Sequence, residues 1–297
     1  MPASALIYTF ITIILWSFLG FFSASLQHLP PLLTTGIGLC IGSLVSLPNI
    51  KSWAVPLKTL AVGTGGLFGY HFLYFSAFQI APAIGVNLVN YLWPIFIVLL
   101  TPVFLKDQRL KLNHFIGVIV GFIGAGLIAS GGNLATSSQA LPGYLMAGSA
   151  ALIWAVYSLL TRRLPPFPTS TVGAFCFLAG FFSLAAAVIQ NDGLAVFSQI
   201  RSSDWVMLVI VGIGPLGLAF YSWDAALKRG DSRVIGSLAY LIPLFSTLIL
   251  IILRGEKLEW ISGAAMVLIT AGAVIGSLNS KHNASNHQVT EKDGPDE

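Results

Sequence analysis

Charge is what this chain of 297 residues has least of. Asp, Glu, Lys and Arg together make up 9%, against about 25% in an ordinary soluble domain. No charged side chain occurs before Lys51, and none between Lys111 and Arg162. A water-soluble protein of this size cannot cover its surface with so few charges. That excludes a soluble enzyme, a nucleic-acid binder and a disordered regulator. Cysteine is scarce too. Cys40 and Cys176 each lie inside an apolar run, with no second Cys or His at metal-ligand spacing. They read as two small buried thiols, so no metal site is expected. There is no Walker phosphate loop, no Gly-x-Ser-x-Gly elbow and no His-Glu-x-x-His motif. Neither an enzyme nor a cofactor is indicated.

What the chain has in excess is hydrophobic side chains, 56% of all residues. A helix needs roughly 20 apolar residues to cross ~30 Å of hydrocarbon. Ten runs qualify: Leu6–Leu26, Leu32–Leu47, Thr59–Phe78, Ile84–Leu105, Asn113–Ser130, Leu141–Thr161, Thr171–Gln190, Trp205–Ala226, Val234–Leu253 and Ile261–Leu278. The runs are solidly apolar and do not alternate with period two, which argues against a β-barrel. The expected fold is an all-α polytopic membrane protein with ten transmembrane helices. No Lys or Arg precedes the first run, which is too long for the apolar region of a signal peptide and reads as an uncleaved first span. Residues 280–297 are polar and charged, and read as a disordered tail.

The few charges report topology. With ten spans, both termini lie on one side. The loops and tail on that side hold 12 of the 15 Lys and Arg, from Lys51 and Lys58 through Arg229 and Arg233 to Lys292. The opposite loops hold Arg201, Arg254 and Lys257. Positive loops stay cytoplasmic, so both termini are expected inside.

The sequence also contains itself twice. Tyr91-Leu92-Trp93-Pro94-Ile95-Phe96 matches Tyr240-Leu241-Ile242-Pro243-Leu244-Phe245 at an offset of 149. At the same offset Gly63-Thr64-Gly65 matches Gly212-Ile213-Gly214, Leu67 matches Leu216, and Asp107 matches Glu256. Trp16 corresponds roughly to Trp154. Two five-span halves follow, residues 1–131 and 141–279, joined by a linker loop at 132–140. Five is odd, so the second half enters the membrane from the opposite side. Inverted repeats of this kind place a substrate site between the halves near the midplane and supply two states of similar energy, one open to each side.

This arrangement resembles the EamA-type members of the drug/metabolite transporter superfamily. The carrying residues are the two Tyr-Leu-x-Pro-x-Phe helices, Asp107 and Glu256 after them, and the Gly-rich fifth and tenth spans. The resemblance covers about Ile7 to Leu278. Within the family, the aromatic set Tyr70-His71, Tyr74, Asn90-Tyr91-Leu92-Trp93-Pro94 and Trp154 is most similar to the YddG-type aromatic amino acid exporters. The resemblance implies a bacterial inner-membrane exporter with helices 1, 3, 4, 6, 8 and 9 around the cavity.

Candidate site residues follow from helical faces. Asn87, Asn90, Tyr91 and Pro94 stand at i, i+3, i+4 and i+7 and share one face. Carboxamides inside hydrocarbon must find partners, either a substrate or a neighbouring helix. For Asn87 the neighbouring helix has at least equal claim, whereas Asn90 is expected at the cavity. Tyr70, His71 and Tyr74 cluster on the third span. His71 is the sole His deep in a span; it could move protons, bind a carboxylate, or sit neutral against another helix. Trp154, Tyr157 and Ser158 repeat the pattern on the sixth span, and Tyr240 mirrors Tyr91. Trp53, Trp205 and Trp260 fit an interfacial belt, but Trp16, Trp93 and Trp154 lie too deep for it. An aromatic cavity suits an amphipathic organic substrate rather than a metal ion.

Pro94 and Pro243 interrupt equivalent helices, and Gly63, Gly65, Gly212, Gly214 and Pro215 soften the third and eighth spans. These read as hinges or as static kinks. The small-residue faces around Gly117, Gly121, Gly272 and Gly276 are expected to pack the fifth and tenth helices within their own halves. Asp224 is four residues before Lys228, as in a helical ion pair. No acidic pair lies at mid-depth, so coupling to Na⁺ or protons is not indicated.

The function expected is export of amino acids, aromatic and large apolar ones above all, by alternating access through an uncoupled facilitator. A different amphipathic metabolite or drug, an intramembrane enzyme on lipid-linked substrate, and a channel are the competing readings. The partners expected are an amino acid and the lipid bilayer, without nucleic acid, and a monomer is favoured over a dimer.

Overall fold

The computed structural model describes residues 2–104, 112–129, 139–161, 163–191, 193–230, 235, 238–239, 241–255, 257 and 259–277. The side chains of Pro94 and Pro243 fall outside that description, as does Tyr240 altogether. All regular structure among the described residues is helical.

Five segments are long and apolar enough to cross a membrane: Ala3–Ser25, Pro31–Trp53, Leu141–Thr161, Thr169–Gln190 and Ser202–Arg229. Shorter apolar helices include Ala83–Ile97, Phe115–Gly124, Phe245–Arg254 and Trp260–Gly272. One further helix, α4 (Leu57–Ile80), has 24 residues. Glycines, three polar aromatic residues and Lys58 dilute its apolar character. It is nonetheless buried along Gly63, Thr64, Gly66, Leu67, Tyr70, His71, Tyr74 and Phe75. A helix too polar for lipid but shielded by its neighbours is where a site is to be sought.

Several helices break, three of them at or beside a proline. The first divides at Phe18 into α1 (Ala3–Ser17) and α2 (Leu19–Ser25). The second, α3 (Pro31–Ser43), starts on a proline whose missing N–H has no helical role there, and tightens into a 3₁₀ stretch around Pro48. The fourth divides at Tyr91-Leu92 into α5 (Ala83–Asn90) and α6 (Trp93–Phe104). Pro94 has no N–H for the Asn90 carbonyl and disfavours helix at Trp93, so the break falls just ahead of it. Pro94 therefore opens a new helix instead of kinking a continuous one.

Helices α7 (Leu112–Ala129), α8 (Leu141–Thr161) and α9 (Val172–Gln190) are continuous. After α10 (Ser202–Ile213) the backbone widens into a π-helical turn at Gly214–Leu218 before α11 (Ala219–Arg229). Pro215 offers no N–H to the carbonyl four residues back, which forces the wider turn. The last helices are α12 (Leu241–Arg254) and α13 (Trp260–Ser277).

The small-residue faces pack differently from expectation. A Cβ on Gly272 of α13 would stand 2.5 Å from the Gly117 carbonyl and 2.7 Å from the Gly121 nitrogen of α7. Helices α7 and α13 thus pack on each other, where the sequence led each to be expected against its own half. The stripes showed that a close-approach face exists, but carry no information on which helix fills it.

The connecting segments gather at two ends. At one, His28 Nε2 meets Asp204 Oδ2 at 2.9 Å, and the Gln79 amide donates to the Leu29 carbonyl at 3.0 Å. At the other, the Ser52 hydroxyl donates to Ser170 at 2.6 Å, and Lys228 donates to the Phe167 carbonyl at 2.8 Å. Asp224 pairs with Lys228 and also accepts from Thr169.

Candidate functional site

The polar helix α4 faces a central cavity of about 30 Å³. Its lining is Trp16, Leu19, Tyr70, Tyr74, Asn90, Tyr91, Trp93, Trp154, Phe220 and Ile242. None of these is charged. Six segments contribute: α1–α2, α4, the α5–α6 break, α8, α11 and α12. The break at Tyr91-Leu92 presents Asn90, Tyr91 and Trp93 to the same space, whereas a regular helix would spread them over an arc of about 160°.

The rings hold one another by edge, tilt and stack. Trp16 lies 5.6 Å from Trp154 at 89°, 5.2 Å from Trp223 at 47° and 5.8 Å from Phe220 at 65°. Tyr70 and Tyr74, one turn apart, stack at 5.6 Å, and Tyr70 meets Trp154 at 5.2 Å and 50°. Trp93 reaches Trp223 at 6.2 Å and 87°. The edge-to-face pairs set the positive edge of one ring on the negative face of the next. Polar ends are tied by specific bonds. The Trp16 indole N–H donates to the Pro215 carbonyl at 3.2 Å, a group in the π turn. The Asn90 amide donates to the Tyr70 hydroxyl at 3.0 Å.

Of the expected residues, Trp16, Tyr70, Tyr74, Asn90, Tyr91, Trp93 and Trp154 line this cavity. Asn87 stands beside it, not in its wall. It accepts from the Tyr74 hydroxyl at 2.9 Å and donates to Ser246 Oγ at 2.7 Å, bridging α4, α5 and α12. His71 stands one layer behind, with its Nδ1 2.8 Å from the Leu67 carbonyl and its ring edge-on to Tyr70 and Phe220. Tyr157 packs on Trp154 at 5.3 Å and lies over Gly66, outside the lining. Ser158 turns back to the Trp154 carbonyl of its own helix at 2.8 Å. Tyr240 lies outside the described residues.

The glycines and prolines named as hinges sit in unlike surroundings. Gly63 gives room to the Phe175 ring, and a Cβ on Gly212 would meet Ile41 at 2.7 Å. Gly65 has nothing within 4 Å of where a Cβ would go. Gly214 and Pro215 open the π turn, while Pro94 and Pro243 stand in the first turns of α6 and α12.

Sequence reasoning missed Leu19, Phe220 and Ile242 of the lining, and Trp223 behind them. The signal was present. At the offset of 149, His71 and Tyr74 map to Phe220 and Trp223, and Trp93 maps to Ile242. Carrying the repeat one helix further identifies all three. Among the described residues, no group of three His, Cys, Asp or Glu could hold a metal ion.

Comparisons with known proteins show the family. The model of the EamA-like transporter family matches twice, over residues 3–130 and 141–278. The chain is 36% identical over 285 residues to the aromatic amino acid exporter YddG of Ancylobacter novellus, covering 93% of this chain and 98% of that one. A probable amino-acid metabolite efflux pump of Salmonella typhimurium is 24% identical, over 84% of this chain and 86% of its own. A biotin transporter of the same organism is also 24% identical, over 87% and 89%. A crystal structure with 36% identity superposes with a TM-score of 0.72, over 93% of this chain and 96% of that one.

Proposed function

Because the chain belongs to the EamA-like transporter family, we propose that it exports amino acids, aromatic and other large apolar ones above all, by alternating access. It is a multi-pass inner-membrane transporter rather than an enzyme. The observation that carries the substrate reading is the uncharged cavity walled by Trp and Tyr. Aromatic rings take up an apolar side chain, and their N–H and O–H groups serve its polar end. Tyr240 belongs with this set as the counterpart of Tyr91. Asn87, His71, Tyr157 and Ser158 act from behind the wall.

Ten spans in two inverted halves, 1–131 and 141–279, with a linker at 132–140 and a cytoplasmic tail at 280–297, account for a particular feature of the centre. Trp16 touches Trp154, its approximate counterpart, and His71 meets Phe220, its counterpart, at 5.5 Å. A residue meets its own equivalent only near the symmetry axis. The cavity therefore straddles the pseudo-two-fold, where a transporter of inverted repeats binds its substrate. The charge bias of the loops puts both termini in the cytoplasm.

Sites for drug-sized ligands run to about 300–1,000 Å³. A space of about 30 Å³ admits an amino acid only if its walls part. Gly63, Gly65, Pro94, Gly212, Gly214, Pro215 and Pro243 supply the bending points. No carboxylate lies in the lining, which favours an uncoupled facilitator.

Counterflow of labelled amino acids in proteoliposomes tests this. Tryptophan, phenylalanine and leucine should exchange well. Trp154→Ala should slow tryptophan about fivefold relative to alanine, the equivalent of about 1 kcal/mol of lost ring contact. Exchange of biotin or another amphipathic metabolite without any amino acid would move the assignment to that class.

A further inference from the structure

Two hydrogen-bond acceptors beside the cavity have no donor among the described residues. His71 is fully buried. Its Nδ1 faces the Leu67 carbonyl at 2.8 Å, and a carbonyl oxygen only accepts, so Nδ1 carries the proton. The neutral ring then leaves Nε2 as a bare lone pair, and this atom has no partner. Asn90 is 3% exposed. Its Nδ2 donates to Tyr70, and its Oδ1 has no partner. Tyr70 joins the two: its hydroxyl receives Asn90 and its ring meets the His71 edge at 4.8 Å. Buried polar atoms are nearly always satisfied, so two orphaned acceptors at one cavity call for a ligand that brings N–H groups.

The walls point the same way. Ring faces carry negative potential, and a cation over Trp or Tyr is attracted while an anion is not. The lining offers Trp16, Trp93, Trp154, Tyr70, Tyr74, Tyr91 and Phe220, with no Lys or Arg to receive a carboxylate. An ammonium group therefore has cation–π and hydrogen-bond partners. A carboxylate has only neutral donors, the indole and phenol groups and the second N–H of the Asn90 amide.

Resting on the amino-acid reading above, we propose that the site recognises the ammonium group and dispenses with the carboxylate. Aromatic primary amines are then ligands alongside amino acids, and aromatic acids without an amine are not. Asn90 Oδ1 meets the ammonium directly. Phe220 covers the His71 ring, and its displacement as the walls part uncovers Nε2.

The test is ligand-dependent thermal stabilisation of the purified protein in detergent, which avoids passive leakage of amines across vesicles. The probes are phenylalanine, phenylalanine amide, 2-phenylethylamine and 3-phenylpropionate. The two amines should bind within about tenfold of phenylalanine, and phenylpropionate at least about thirtyfold more weakly. His71→Leu should narrow the ratio of amine to acid, and His71→Gln, which keeps an acceptor, should restore it. A general loss of stability would lower all affinities and leave the ratio unchanged.

Equal binding of phenylpropionate and phenylethylamine overturns the ammonium reading while leaving amino-acid export intact, provided phenylalanine binds. Binding of the amines without phenylalanine supports the ammonium reading and overturns the amino-acid one. Failure of all four overturns both.

Discussion

Between α3 and α9, and again between α7 and α13, helices approach so closely that backbone meets backbone. A Cβ on Gly180 would stand 2.8 Å from the Cys40 nitrogen, and one on Gly36 2.9 Å from the Leu184 nitrogen. Around the cavity the contacts are ring on ring, with centroids 5.2 to 6.2 Å apart. The two regions differ in what they tolerate. Backbone contacts through glycine have one geometry and no side chain to rearrange. Ring contacts keep much of their attraction through tilts and slides. A frame of backbone contacts thus surrounds a centre of ring contacts, the division of labour that the proposed alternating access would use.

The largest expected effect breaks the frame. A Cβ at Gly180 collides with the Cys40 nitrogen and the Gly36 carbonyl, and one at Gly272 with the Gly117 carbonyl. None of these obstacles is a flexible side chain. Gly180→Leu and Gly272→Leu should abolish monodisperse protein in detergent, as judged by size-exclusion chromatography. Normal yield and melting temperature for both would mean that the frame is as compliant as the centre.

A smaller effect sharpens a contrast within the centre. The Asn87 bridge to Tyr74 and Ser246 has no equivalent in the other half: at the offset of 149 these positions correspond to Gly236, Trp223 and Ile97. The bridge lies towards the end where His28 meets Asp204, so if that end opens during transport the bridge must break. Ser246→Ala removes one bond worth about 1 kcal/mol, enough to shift a two-state balance about fivefold. With Cys40 and Cys176 replaced by alanine, a cysteine at Ser23, fully buried in α2, should react with maleimide about fivefold faster when Ser246→Ala is added. An unchanged rate would show that the bridge does not hold that end shut.

How far the sequence reveals this architecture depends on which force dominates locally. Where hydrocarbon demands a continuous apolar helix, run and helix coincide, as at Leu141–Thr161. Proline chemistry is equally legible, and the break before Pro94 follows from a missing N–H. What stays hidden is pairing. Nothing in the spacing of Gly117 and Gly121 says that α13 is their partner. Nothing in Asn87 says that Ser246, 159 residues later, accepts its hydrogen bond. His71 looked like a member of the wall, but its Nδ1 bond to Leu67 turns it behind Phe220. Phe220 was overlooked because a lone Phe in an apolar span resembles any other.

The smallest expected effect separates bending from packing within α4 itself. Gly63 and Gly65 are two residues apart, yet a Cβ on Gly63 runs into the Phe175 ring, while one on Gly65 meets nothing within 4 Å. Gly63→Ala should therefore lower the melting temperature through steric conflict. Gly65→Ala removes backbone freedom from a helix interior at no steric cost, and should stabilise it by about 0.5–1 kcal/mol. If α4 bends at Gly65 during transport, the same stiffening should slow counterflow severalfold while the melting point rises. A higher melting point with an unchanged initial rate would remove Gly65 from the bending points. The bending of α4 would then have to come from where its neighbours move, at the α5–α6 break and the π turn.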